Sequence, residues 1–490
     1  MVFLLIILTA VLFSIPAYFP SLFFFSWLAF IPLVIVIFGE KPQKALIRAW
    51  TAGFFISLLK NYWIYQPLKD FTSISAVFII VLPLIYFIIS GLWMGIWAFV
   101  NNFMQSKYEF SPFIAAFIWS TIEFFRLNWI KLLPFNYLAY SQYKFNPLLQ
   151  LSSAGGIILT GFITVLLGGY LAKIYLKPSF KRAVPFLIII FLIVTFPYFY
   201  MSDITSSYKF TEAEIISTKI LQKNKWDFEN TEKIIDEITA KINSSKNDLI
   251  FTPETSLTFD FNRNGYYRNL FKKKINIQDK YIQIGSRSSG NDKKKENIYN
   301  SQFLINSELD ILDRYNKNEL FIFGEYMPYP DLVGSLTGYY VEDISSGEKR
   351  EPFQLNDLSW LNLICSEIFF PIKNQQQEYD FIVNPSNEAW VRSEVLKNMI
   401  WSTAVYRAVE NRRSVVKISN MSYSGYISPI GREINKNYKK SEKMHLKIAL
   451  TDITSFYQRN GEIAGKTISL FTIFLLMIKI TAAKKKKSSS

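Results

Sequence analysis

Cysteine and histidine are the scarce residues of this chain: among 490 residues there is one of each, Cys365 and His445. A zinc centre built from Cys and His needs three or four such ligands, so that class of metal site is excluded. A Ser-His-Asp or Cys-His pair would have to recruit His445, which lies in a Lys-rich stretch with Lys439, Lys440 and Lys443. A nucleophilic Cys365 therefore calls for a carboxylate as its base. One thiol also means no internal disulfide, so stability has to come from a packed core. A lone Cys after an apolar run is in most proteins a small core residue. Here Leu361-Asn-Leu-Ile-Cys365-Ser-Glu367 puts the thiol where the apolar run stops, two residues before a carboxylate.

Apolar residues, in contrast, are abundant: 50% of the chain is hydrophobic and 17% aromatic, with 44 Phe. They are unevenly spread. Residues 1–201 are a succession of long apolar runs, 202–463 have mixed charge, and another apolar run within 464–490 ends at Lys484 to Lys487. A hydrocarbon core of ~30 Å takes ~20 helical residues. Spans are predicted over 2–19, 21–38, 50–68, 75–100, 112–133, 154–173, 183–201 and 466–483. The first lacks a basic leader and a second apolar run follows at once, so it reads as a retained anchor rather than a signal peptide. With eight spans both termini share one side, together with Lys41, Lys44, Arg48, Lys173, Lys177, Lys181 and Arg182. The positive-inside rule makes that side cytoplasmic and puts residues 202–463 outside. The net charge of +15 is then partly topogenic and partly suited to anionic lipid, with no nucleic acid required. The run Lys293 to Lys295 reads as a solvated loop tip.

The mixed segment alternates short β-branched runs with helical stretches. Strands are predicted over 213–221, 248–252, 280–286, 301–306, 361–365, 380–384 and 414–419, and helices over 228–244 and 393–412. Within the second helix Val395, Met399, Ser402, Tyr406 and Val409 form a stripe to be buried. The alternation predicts an α/β class with functional groups at strand ends. Three ends stand out: Asp248-Leu-Ile-Phe-Thr-Pro-Glu254; Tyr315-Asn-Lys317, leading to Glu325-Tyr-Met-Pro328; and Cys365-Ser-Glu367. Taken singly, Glu254 reads as well as a helix-start carboxylate, Lys317 as a surface lysine and Glu325 as a loop charge.

As an ordered set, these motifs resemble the nitrilase superfamily, and within it the membrane-bound apolipoprotein N-acyltransferases. The likeness runs through both halves: Ser26-Trp-Leu-Ala-Phe-Ile-Pro32, Asn61-Tyr-Trp-Ile64, Glu123-Phe-Phe-Arg126 and Pro134-Phe-Asn-Tyr-Leu-Ala-Tyr-Ser-Gln142 in the first; Lys225-Trp226-Asp227, Tyr299-Asn-Ser301, Asn384-Pro-Ser-Asn-Glu-Ala-Trp390 and Arg407-Ala-Val-Glu-Asn-Arg-Arg413 in the second. The chain departs from the family's pattern at Ser366, where an aromatic is usual, and at Asn420-Met-Ser-Tyr-Ser-Gly425. The resemblance implies a multi-pass α-helical membrane domain and an extracytoplasmic α/β nitrilase-like domain, an α-β-β-α sandwich, in the bacterial cytoplasmic (inner) membrane. It implies a catalytic unit of Glu254, Lys317 and Cys365, with Glu325 and Glu367 in support. Trp226, Asn300, Tyr326 and Trp390 are expected at the substrate, and no metal or cofactor is expected. The implied partners are a phospholipid acyl donor, membrane lipid and an apolipoprotein with an N-terminal diacylglyceryl-cysteine. The implied reaction is ping-pong acyl transfer through a Cys365 thioester. Trp63, Trp129, Tyr137, Tyr326 and Tyr329 suit a lipid access route or an interfacial belt equally well. Glu123 and Arg126, three residues apart in an apolar span, are expected to form a structural ion pair. The competing readings are a membrane-tethered amidase that passes the acyl group to water, and an inactive scaffold or transporter.

Overall fold

The computed structural model describes residues 1–105, 109–130, 135–276, 278–290, 297–341, 343–348, 350–372, 378–437 and 443–488. The predicted loop tip at Lys293 to Lys295 and residues 131–134, which include the end of the expected span 112–133, lie outside the described residues. Among the described residues four helices are long and apolar enough to cross a membrane: Ala76–Met104, Ser152–Leu176, Phe180–Ser206 and Ile463–Lys485. They account for four of the eight expected spans. The others are shorter, broken or more polar. The expected span 21–38 is a 3₁₀ turn, Pro20–Leu22, followed by helices Phe25–Leu28 and Phe30–Ile37. The expected span 50–68 straddles the end of helix Pro42–Asn61, a 3₁₀ turn and helix Tyr65–Phe71. Helix Pro112–Trp129 carries Glu123 and Arg126. Small residues let these helices close up: a Cβ on Gly53 would lie 2.5 Å from the Gly91 carbonyl oxygen, so helices Pro42–Asn61 and Ala76–Met104 touch backbone to backbone.

Among the described residues the helix Phe180–Ser206 hands over to twelve strands: β1 Lys209–Ile216, β2 Leu249–Phe251, β3 Tyr281–Ser289, β4 Ile298–Ile305, β5 Ile311–Asn316, β6 Phe353–Leu355, β7 Leu358–Asn362, β8 Phe381–Asn387, β9 Ser414–Asn420, β10 Ser424–Ile427, β11 Glu433–Asn437 and β12 Lys443–Leu450. They form two six-stranded sheets, ordered β12-β1-β2-β3-β4-β5 and β11-β10-β9-β8-β7-β6. Each has a parallel centre, β1-β2-β3 in one and β7-β8-β9 in the other, with antiparallel flanks. Alternation along a strand sends successive side chains to opposite faces. On β1, Ala213 and Ile215 face the second sheet, packing in one core with Trp360, Phe381, Val383 and Val416. Ile216, with Ile250, Ile282 and Phe303, faces the helix Thr231–Asn243 through its Ile234, Ile235, Ile238 and Ile242. On the far side, Leu361, Ile382, Val415 and Ile427 lie under the helix Glu394–Asn411. The layers are therefore α-β-β-α.

That last helix is buried all the way round, from Val395 to Asn411, and not on one stripe as its spacing predicted. One side covers the sheet and the other meets the helical bundle through Ile157, Ile158, Tyr137 and Tyr140. Polar ties cross this interface. Tyr406 donates to the Ala139 carbonyl at 2.6 Å, and Arg412 donates to Gln150 at 2.7 Å and to Ser153 at 2.9 Å. The helix Ser152–Leu176 breaks at Gly155 and Gly156, the latter at φ 63°. Its restart at Ile157 donates its backbone N–H to Glu410 at 3.1 Å, and Glu410 is itself paired with Arg407.

Candidate active site

The site forms where strands run out. Glu254 lies three residues beyond β2, Lys317 immediately follows β5, and Cys365 lies three residues beyond β7. Here the chain leaves one ladder before the next element begins, so side chains can converge between the sheets. Cys365 opens a 3₁₀ turn, Cys365–Phe369, from the left-handed backbone region at φ 51°. A non-glycine residue there costs roughly 1–3 kcal/mol, which the surrounding contacts must offset. The thiol is partly accessible, whereas Glu254 and Lys317 are buried.

Lys317 Nζ sits 2.7 Å from Glu325 Oε2 and 3.9 Å from Glu254 Oε1. Asn300, on β4, bridges the two carboxylates by donating its amide to Glu254 at 2.6 Å and to Glu325 at 2.9 Å. The Phe321 N–H fixes the other Glu325 oxygen at 2.8 Å. Asn300, expected at the substrate, is thus committed to holding the acid pair. Burial, then the neighbouring Glu325, pushes the Glu254 carboxyl above its ordinary range against the pull of Lys317. Burial alone would lower Lys317, but Glu325 and Glu254 outweigh it and hold the ammonium firmly protonated. Burial, then Glu254, holds the Cys365 thiol well above its ordinary value, and Lys317 only partly opposes this. The sulfur therefore rests as a thiol and not as a thiolate stabilised by the lysine.

Glu367 does a different job from Glu325. It is fully buried and does not reach Lys317. It accepts from Tyr315 at 2.8 Å, from the Asn318 and Glu319 N–H groups at 2.9 and 3.1 Å, and from the Ile364 N–H at 2.7 Å. Arg350 pairs with it at 3.0 Å. One carboxylate thereby locks the loop after Lys317 to the strand end that carries Cys365.

Two further lysines escaped the sequence reading as site residues. Lys225, 1% exposed, donates to the Glu254 backbone carbonyl at 3.2 Å, and burial pushes its ammonium down to about 8. Lys417 pairs with Glu388 at 2.9 Å and donates to Ser386 at 2.7 Å. Asn384 links this cluster to the Cys365 turn by donating to the Cys365 carbonyl at 3.3 Å. Lys225, Asn384 and Glu388 lie inside motifs that the resemblance flagged, so a signal was present; Lys417 lies inside a predicted strand and had none. Of the other expected substrate residues, Trp226 is 37% exposed and lies under the Arg287 guanidinium at 4.4 Å. Trp390 packs against Trp63 of the bundle and Phe321 of the sandwich. Tyr326 pairs with Ile322 across a tight turn beside Glu325. His445 lies on β12, 55% exposed and bonded to Asn247, away from these groups. Among the described residues no cluster of His, Cys, Asp and Glu has the makings of a metal site.

The chain matches two family models: the apolipoprotein N-acyltransferase N-terminal domain over residues 9–170, and carbon-nitrogen hydrolase over residues 216–483. It is similar to the apolipoprotein N-acyltransferase of Geobacter metallireducens, 24% identical over 94% of this chain and 92% of the relative. Those of Wigglesworthia glossinidia brevipalpis (26%, 78% of each chain) and Aquifex aeolicus (25%, 80% and 88%) are similar too. The second model spans more than half of the chain and covers the three strand-end residues and every strand of the two sheets but β1, and the first covers most of the bundle. The chain belongs to the carbon-nitrogen hydrolase family, among its apolipoprotein N-acyltransferase members.

Proposed function

We propose that the protein transfers an acyl chain from a membrane phospholipid, through a thioester on Cys365, to the α-amino group of an N-terminal diacylglyceryl-cysteine on an apolipoprotein. The observation that carries this reading is the Glu325–Lys317–Glu254 arrangement beside a strained, partly accessible thiol. Glu254, made more basic by burial, takes the thiol proton as the sulfur attacks the ester carbonyl. Lys317 and the Ser366 N–H receive the oxyanion. Collapse breaks the acyl C–O bond, and Glu254 returns its proton to the departing lysophospholipid oxygen. The acceptor amine then attacks the thioester and gives its proton to Glu254. The C–S bond breaks, and the thiolate regains the proton. A thiol that rests protonated suits this cycle, because it is inert until an ester carbonyl is in place.

In this reading residues 1–201 and 464–490 anchor the enzyme in the bacterial cytoplasmic membrane, and residues 202–463 act on its outer side. Both substrates carry lipid chains, so a site against the bundle spares them full extraction into water. Trp226, Tyr326 and Trp390 are proposed to line the substrate channel. The test is intact-protein mass spectrometry after incubation with phospholipid alone. One acyl chain is expected on Cys365, none on Cys365→Ala, and rapid discharge by a diacylglyceryl-cysteine peptide. Discharge by water at the same rate, with free fatty acid as the main product, would make the protein a hydrolase.

A further inference from the structure

Most of the buried charge around the nucleophile cancels in pairs. Glu325 is matched by Lys317 at 2.7 Å, Glu388 by Lys417 at 2.9 Å and Glu367 by Arg350 at 3.0 Å. One carboxylate and one ammonium are left over. The carboxylate is Glu254, whose single cation within ion-pair distance among the described residues is the shared Lys317 at 3.9 Å. The ammonium is Lys225, 1% exposed. An ammonium has three N–H donors. Among the described residues the one acceptor Lys225 finds is the backbone carbonyl of Glu254, at 3.2 Å, and no carboxylate lies within ion-pair distance of it. A buried charge with a single neutral partner is costly, so its retention calls for a reason.

The chain aims Lys225 inward with some care. It ends the short helix Gln222–Lys225, which follows β1. The segment leading to it is tied to strand ends of the opposite sheet. Asn420, at the end of β9, accepts from the Ile220 N–H at 2.9 Å and from Thr218 at 3.0 Å, and Asn387, at the end of β8, donates to Gln222 at 3.0 Å. The next residue, Trp226, turns out to the surface under the Arg287 guanidinium. Burial lowers the Lys225 ammonium to about 8, while Glu254 and Cys365 favour its charged form. The effect is mutual: burial raises the Glu254 carboxyl, and Lys225 is among the cations that oppose the rise.

We propose that Lys225 is a positioning residue of the active site and the countercharge of Glu254, acting from the backbone side of that residue and not by touching its carboxylate. Glu254, Glu325 and Lys317 together carry one negative charge. When the thiol proton passes to Glu254 and the sulfur attacks, that charge moves to the carbonyl oxygen, and the excess persists. A second ammonium cancels it at each step. The place of contact matters. A lysine bonded to the carboxylate itself would lower its basicity. One held at the carbonyl neutralises the site and leaves the carboxylate free for the thiol proton. The part of Lys225 in acyl transfer rests on the transferase reading above; its coupling to Glu254 and Cys365 does not.

The test uses the full-length protein in detergent micelles. Cys365 is the only thiol of the chain, so alkylation by iodoacetamide, followed by intact mass, reads one site with no acyl donor present. The acid limb of that rate against pH reports the first proton lost by the Glu254–Cys365 pair. Lys225→Gln keeps a hydrogen-bond donor and removes the charge. Without the cation that proton is harder to remove, so the limb should move up by about one pH unit, a roughly tenfold loss of rate on the limb. Lys225→Arg keeps the charge and should return the limb to the parent's position. A purely structural anchor would leave the limb in place in both variants. Single-turnover acylation by phospholipid should show the same shift. Thermal midpoints give a readout that needs no reaction. The loss in the Lys225→Gln, Glu254→Gln double variant should be smaller than the sum of the single losses, because removing both charges leaves neither uncompensated. An unmoved acid limb in folded Lys225→Gln, or additive midpoint losses, would overturn the proposal. If the alkylation limb shifts, yet phospholipid never acylates the parent protein, the role of Lys225 stands and the transferase reading falls.

Discussion

Replacing Glu325 by Gln keeps the shape of the side chain and removes one charge from the centre of the site. At an effective dielectric of about 20, the 2.7 Å contact to Lys317 is worth roughly 6 kcal/mol and the 3.9 Å contact to Glu254 roughly 4 kcal/mol. The difference, about 2 kcal/mol, keeps the ammonium on Glu325 and leaves Glu254 free to take a proton. In Glu325→Gln the lysine is drawn to Glu254, which loses basicity, and the oxyanion loses its fixed donor. The acylation rate should fall about 10²-fold or more, as when a single oxyanion donor is removed. The pH profile should move with a defined sign. Glu325 is among the groups that raise the Glu254 carboxyl, so its loss lowers that pKa and moves the acid limb to lower pH. Glu325 also holds Lys317 up, so the alkaline limb moves down as well. The assay is single-turnover acylation of Cys365 followed by intact mass across pH, with a thermal scan to confirm folding. A folded Glu325→Gln protein with the parent rate and profile would refute the role given to the Lys317–Glu325 contact.

Gly156→Ala places a Cβ 2.5 Å from the Tyr457 ring at a backbone φ of 63°, so it should lower the thermal midpoint measured in detergent. Arg407→Leu strands the buried Glu410 and frees the Ile368 and Phe369 carbonyls that the guanidinium holds at 3.0 and 3.1 Å; a loss of about 3–5 kcal/mol is expected in chemical unfolding. Glu410 itself is raised by burial to about 7, so its contribution to stability is fully present below the ordinary carboxyl range and is lost as pH rises through about 7. Glu410→Gln should flatten that slope in thermal scans across the window. In a Cys365→Ala background, a reporter cysteine at Lys272 should react with an impermeant thiol reagent on intact cells and one at Lys44 should not; the opposite result reverses the proposed orientation.

The strands that the sequence made legible are the buried central ones. Leu249–Phe251, Phe381–Asn387 and Ser414–Asn420 are buried along their whole length and carry apolar runs (Leu249-Ile-Phe, Phe381-Ile-Val and Val415-Val), and the predicted segments fall within a residue or three of them. The edge strands were missed because they carry charge on their open faces. β5, Ile-Leu-Asp-Arg-Tyr-Asn, buries only Tyr315, and β12 alternates lysines and His445 with Met444, Leu446 and Ile448, so it read as a basic stretch. Four of the expected spans, 21–38 among them, are shorter, broken or more polar helices for a related reason. Apolar content does not separate a helix that crosses a bilayer from short, kinked segments such as 20–37 packed inside a bundle.

Composition alone determined that these residues build neither a Cys/His zinc centre nor an internal disulfide, since one Cys and one His suffice for neither. Local pattern put Glu254 and Cys365 at the ends of predicted strands, and the ordered motifs added Lys317, whose strand was missed. What it left open was which of them meet. Glu325 and Glu367 are the same residue type, and each follows a motif residue in the chain, Lys317 and Cys365. Only the packing of the two sheets sends Glu325 to the Lys317 ammonium and Glu367 to the backbone of two loops. The same holds for Glu123 and Arg126, whose spacing predicts a pair. In the structure the carboxylate is taken by the Leu138 N–H and the guanidinium by two rings. A side chain's partner is set by distances across the fold, and these depend on contacts between residues far apart in sequence.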